Sequence, residues 1–167
     1  LQRSADGTKP HTEKEEQLAE LGTRNGYDVW CPDAGKSPKL KKLCLKKFPI
    51  KGLTKEAEAD IKLLDILWIK NDKIEYVIEV ENSTAIESAL NRASDLPDPD
   101  TIKKIILLPN KREAKLRKLM KRSSFRTSEH GWIKRKWKFI YYEEFDKFTG
   151  KDIDKICKEK IKKAKKK

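Results

Sequence analysis

The sequence predicts an α/β fold, a mixed central β-sheet flanked by α-helices. Two observations carry that expectation. The stretch "KLLDILWIKNDKIEYVIEVENST", residues 62–84, holds two apolar runs, 63–70 and 73–81, separated by Asn71 and Asp72, a short connection typical of a β-hairpin. Around it, segments of helical period alternate with further short apolar runs, the order of a three-layer arrangement with helices on a sheet.

Taken in order, residues 1–10 read as a disordered lead-in or the scar of a longer chain. "HTEKEEQLAELGTRNG" reads as a first helix, with Thr12 and Glu15 as a capping box, Leu18 and Leu21 on its apolar face and Gly26 closing it. "YDVWCP" is a short strand ended by Pro32, and "DAGKSPKLKKLCLKKFPIKG" a basic loop or irregular hairpin. After the hairpin, Ile86, Ala89, Leu90 and Ala93 recur at helical spacing. "TIKKIILLP" is a strand, "KREAKLRKLMKR" a basic helix and "WKFIYYEEF" a last strand or strand end. The domain is expected to span 11–150, followed over 151–167 by a basic helix that is helical through Ile161 and then frays.

At 167 residues the chain is one domain by size and large enough to bury a core. No apolar run reaches the roughly 18 residues of a membrane helix, so no membrane association is expected and a cytoplasmic protein is. Cys31, Cys44 and Cys157 are odd in number and form no C-x-x-C pair; they are expected to be reduced and structural. With only His11 and His130 present, a histidine-rich metal site is not expected, and any catalysis falls to carboxylates.

The net charge of +13 is unevenly spread. Residues 36–55 hold eight lysines and no acid, residues 111–138 carry a net of +10, and residues 56–100, between them, a net of −8. Basic arms around an acidic centre suit a polyanion held over a metal site, although charge runs are often only solvated faces.

The acids of the hairpin stand where apolar residues are ordinary. Alternation places Ile74, Tyr76, Ile78 and Val80 on one face of the second strand and Glu75, Val77, Glu79 and Glu81 on the other, with Glu79 and Glu81 about 7 Å apart. Asp65 lies in the neighbouring run, "LLDILWI", where an ionised carboxylate costs several kcal/mol unless paired or bound to a cation. Two readings are open: acids solvated or bridged to Lys62, Lys70 or Arg92, or acids gathered around Mg²⁺ or Mn²⁺.

An acid on one strand followed by acid-x-residue on the next resembles the PD-(D/E)XK nuclease superfamily, here in an E-x-E variant. More narrowly, "HTE", "LDILW", "EVENST" and "IESALNRASDL", covering roughly residues 11–109, look like a group of restriction-endonuclease-like proteins with a similar signature. The resemblance implies a restriction-endonuclease-like fold and Mg²⁺- or Mn²⁺-dependent phosphodiester hydrolysis, in defence or repair. It implies Asp65 and Glu79 as metal ligands and the Val80 carbonyl completing the inner shell. Glu81 stands where lysine is usual, as a further ligand or as general base; the same departure fits a catalytically inactive DNA-binding module of the same fold. Glu13, early in the first helix with Gln17 one turn on, matches an acid that many members place near the metal.

Thr84, Ser88, Arg92 and Asp95 follow at spacings of four, four and three, along one helix face. Arg92 is read either as a clamp on the scissile phosphate or as a partner for Asp95 or Glu79. Lys41, Lys42, Lys46 and Lys47, with Arg117, Lys118, Lys121 and Arg122, are the expected DNA-backbone contacts. Trp132 and Trp137 either stack on bases or anchor a strand. Nucleases of this kind often dimerise to cut two strands, so a homodimer is an option.

Overall fold

Five strands form one mixed sheet in a computed structural model that describes residues 2–80, 92–94, 96–97, 101–109, 118, 121 and 135–158, with side chains from residue 11 onward. Their spatial order is their chain order: β1 (Asp28–Trp30), β2 (Ile66–Lys70), β3 (Lys73–Val80), β4 (Lys103–Leu108) and β5 (Lys138–Tyr141). The first three are antiparallel and the last two are added in parallel. The mixed sheet between helices agrees with the fold class expected from the sequence.

The β2–β3 connection is the expected two-residue turn. Asn71 and Asp72 have φ of 52° and 60°, both in the left-handed region, as a type I′ hairpin requires, and Asn and Asp are the non-glycine residues that tolerate it best. Strict alternation along β3 does not hold, however. Trp68 pairs with Tyr76 while Ile69 pairs with Ile74, so Glu75 is an extra residue, a bulge. The bulge turns Ile74 to the face of Val77, opposite Tyr76, Ile78 and Val80, and leaves Glu75 exposed.

Two cores result, one per face. On one, Leu18, Ala19 and Leu21 of α1 (Gln2–Arg24) pack with Leu40 of α2 (Pro38–Leu43) against Val29, Ile66, Trp68, Ile78 and Ile105. On the other, Ile61 of α3 (Lys55–Lys62) and Leu64 join Leu67, Val77, Ile106, Phe139 and Trp137, with Ala93 and Leu96 from the crossover between β3 and β4. Trp137 is thus a core residue; Trp132 lies outside the described residues.

Four expectations need correction. The first helix begins at Gln2 and not near Thr12, so residues 2–10 continue α1 and Glu15 lies mid-helix, no part of a capping box. Gly7 and Pro10 each oppose helix intrinsically, yet α1 runs through both, because propensity is a weak prior. The basic segment contains α2, for which Ser37 accepts from the Leu40 amide and Pro38 supplies the first helical residue. Helix α3, capped by Thr54, replaces a stretch with no expected element. Finally, residues 153–156 form a 3-10 turn, and Lys158 pairs through both backbone groups with Phe139, so sheet pairing outcompetes the expected helix there. After β5, Tyr142–Lys147 form α4, tied to α1 by an ion pair between the buried Lys14 and the exposed Asp146.

Candidate functional site

Where β3 ends, the chain brings its acids together. Asp65 sits just ahead of β2 and not within it, opposite the end of β3. Its Oδ2 accepts a hydrogen bond of 2.8 Å from the Val80 amide. Its carboxyl also faces Glu79, which is 7% exposed. Burial first, then the charge of Asp65 and a hydrogen bond between the two carboxyls, pushes the Glu79 acid well above the usual carboxylate range; Arg92 opposes that shift. Glu79 Oε1 is buried without a hydrogen-bond partner. A buried acid with an orphaned oxygen beside a second carboxyl fits a divalent cation, because an ion offsets both desolvation and repulsion.

A second group lies on the other side of Asp65. Ligand atoms of His11, Glu15, Asp33 and Asp65 all fall within 4.8 Å of one another. His11 Nε2 is 3.3 Å from Glu15 Oε1 and 3.8 Å from Asp65 Oδ1. Glu15 is fully buried, and its Oε2 accepts a hydrogen bond of 3.1 Å from the Cys31 thiol. Desolvation, reinforced by Cys31, pushes its carboxyl up to about 10. Cys31 and Cys44 are free thiols.

The site residues expected from the sequence are thus distributed unevenly. Asp65, Glu79, Val80 and Arg92 are brought together at this sheet end. Glu13 is exposed, as is Gln17; Glu15, two residues on and across the helix, is the α1 acid beside Asp65. Glu81, Thr84, Ser88 and Asp95 lie outside the described residues, as do Arg117 and Arg122. Lys41, Lys42, Lys46, Lys47, Lys118 and Lys121 are exposed. His11, Glu15 and Asp33 were not among the expected site residues. The i, i+4 spacing of His11 and Glu15 was the available signal, since it puts both on one helix face; Asp33 had none, because a loop joins it to them only in three dimensions.

These shifts set a pH dependence. Between the ordinary carboxyl value and about 10, unfolded Glu15 binds fewer protons than native Glu15, so stability falls as pH rises, and Glu79 acts in the same direction. In a chelator, the Tm is expected to drop by on the order of 5 °C from about pH 5 to about pH 8. A Tm that holds or climbs over that range would show that neither acid is buried as described.

A family model described as "Type II restriction enzyme NmeDI C-terminal domain" matches residues 2–165. No curated protein and no solved structure matches the chain. Among the described residues, no helix is long and apolar enough to cross a membrane.

Proposed function

Since the chain belongs to the family of type II restriction enzyme NmeDI C-terminal domains, we propose that it is a Mg²⁺-dependent DNA endonuclease of PD-(D/E)XK type in its E-x-E form. The observation that carries the reading is the contact between Asp65 and the buried Glu79, one oxygen of which has no partner. Asp65, Glu79 and the Val80 carbonyl would hold Mg²⁺ or Mn²⁺, which when bound supplies Lewis-acid stabilisation of phosphoryl charge and makes water a stronger acid. The Val80 amide keeps Asp65 oriented through its hydrogen bond. Arg92, close enough to act on the Glu79 charge, orients the phosphate. Glu81 takes the proton of the attacking water, the role that its position next to Val80 suits.

The exposed lysines support a polyanionic substrate. Lys41 and Lys42 project from α2, which packs on α1 and on the 3-10 turn after Asp33, so basic side chains border the elements that carry the acids.

The test is nicking of supercoiled plasmid with and without Mg²⁺ or Mn²⁺. Nicked or linear DNA that depends on the ion is expected. Salt-sensitive binding without cleavage would instead identify a DNA-binding module that has lost its chemistry through Glu81. Loss of both cleavage and binding would sink the reading.

A further inference from the structure

We propose that Cys31 and Cys44 are a redox pair, a modification site at which a peroxide closes a reversible disulfide between the end of β1 and the end of α2. Placement is the first argument. Cys31 is the first residue beyond β1, and Cys44 caps the C-terminal end of α2. The two segments are held side by side: Val29 forms a parallel bridge with Cys44, and the Leu45 amide donates to the Val29 carbonyl at 2.8 Å. Both thiols are free, both lie in the core between the sheet and α1, and each is within hydrogen-bonding reach of the other. Thiols that already meet satisfy the first requirement of a disulfide, side chains that converge.

The second argument is that the pair is unsymmetrical. The Cys31 thiol has one hydrogen and two acceptors around it, Glu15 Oε2 at 3.1 Å and the Cys44 sulfur. Its contact with Cys44 holds the Cys44 thiol below the usual thiol value and pushes Cys31 above it. Cys44 also stands nearer to solvent, 7% exposed against 2%. It ends a six-residue helix and is followed by residues 45–54, outside any helix or strand, where local opening costs little. Cys44 is thus the attacking sulfur and Cys31 the resolving one. Small apolar residues filling a core would explain the burial of both cysteines but not this asymmetry.

The oxidant is the peroxide, and the steps balance on it. The Cys44 thiolate attacks one peroxide oxygen; an S–O bond forms, the O–O bond breaks, and the leaving hydroxide takes up the proton that Cys44 released. Cys31 then attacks the sulfenic sulfur; the S–S bond forms, the S–O bond breaks, and the hydroxide departs with the Cys31 proton as water. Two thiols are oxidised and one peroxide is reduced to two waters, and an added dithiol reverses the bond. Closure withdraws the hydrogen that Glu15 Oε2 accepts and ties α2, which carries Lys41 and Lys42, covalently to the end of β1. The pair can be read without reference to cleavage of DNA.

The experiment is peptide mass mapping of the full chain after hydrogen peroxide in chelator and alkylation of the remaining thiols, for wild type, Cys31→Ser, Cys44→Ser and Cys157→Ser, with dimedone present in a parallel set. Wild type and Cys157→Ser should yield tryptic peptides 25–36 and 43–46 joined by a disulfide that dithiothreitol releases. In wild type that link should exceed links to Cys157 at least about tenfold. Cys31→Ser should strand the sulfenic acid on Cys44, where dimedone captures it, and Cys44→Ser should give no capture on Cys31. Cys157, the least buried of the three, is the control for accessibility alone. No link between 25–36 and 43–46 in the folded wild type, a link that forms only in denaturant, oxidation that falls first on Cys157, or dimedone capture on Cys31 in place of Cys44 would overturn the proposal. Wild type and Cys157→Ser decide the matter even if a serine in the core unfolds the other two variants.

Discussion

Glu79→Gln is expected to lower plasmid cleavage at least about 100-fold while raising the thermal stability of the metal-free protein. The two effects have one cause. Glu79 is almost fully buried, its carboxyl is pushed far up by desolvation and by Asp65, and one oxygen lacks a partner. Holding such a group in the metal-free fold costs free energy that an amide, neutral at every pH and able to donate to Asp65, does not incur. A gain on the order of 1 kcal/mol follows in chelator, and it should shrink or reverse when Mg²⁺ is present, because only the carboxylate binds the ion. Asp65→Ala provides the contrast. It should lose cleavage to a similar degree but also lose stability, by about 1–3 kcal/mol, since the Val80 amide would be left without its acceptor. Cleavage that survives either substitution would remove these residues from the reaction. A Glu79→Gln protein that melts below wild type in chelator would mean that the carboxyl is already satisfied.

Gly22→Ala should destabilise the fold by about 2–4 kcal/mol, against the direction that helix propensity gives. In an exposed helix interior the change from glycine to alanine gains about 1 kcal/mol. Here a Cβ at position 22 would lie 2.5 Å from Trp68 Nε1 and 2.7 Å from its Cδ1. The indole has nowhere simple to go. Its N–H donates to the Leu18 carbonyl at 3.1 Å, its ring stacks on Tyr27 with centroids 5.5 Å apart, and Tyr76 lies 4.9 Å away. Any shift breaks the hydrogen bond and separates α1 from β2, the contact that also positions His11 and Glu15. The Tm should fall by on the order of 10 °C. A Gly22→Ala protein as stable as wild type would show that α1 does not seat on the sheet through this glycine.

Much of the fold was legible in the chain. The hairpin was readable from its turn and flanking apolar runs, and β4 and β5 from their continuous apolar character. The elements that escaped were decided by short polar signals or by partners far away in sequence. Helix α2 depended on Ser37 and Pro38 within a run of lysines, and the 3-10 turn ending at Ile156 gave way to sheet pairing with Phe139.

Local pattern by itself determined that Asp65 and Glu79 are misplaced acids on adjoining segments and that basic arms surround them, because charge and period are properties of the chain. Which helix acid joins them was settled in three dimensions. The rotation of α1, locked by Leu18 and Leu21 in the core and by Trp68 over Gly22, turns Glu13 to solvent and Glu15 inward, and a loop delivers Asp33 to the same point. The bulge at Glu75 likewise reversed the face of Ile74, since one inserted residue changes side-chain parity and only strand pairing reveals it.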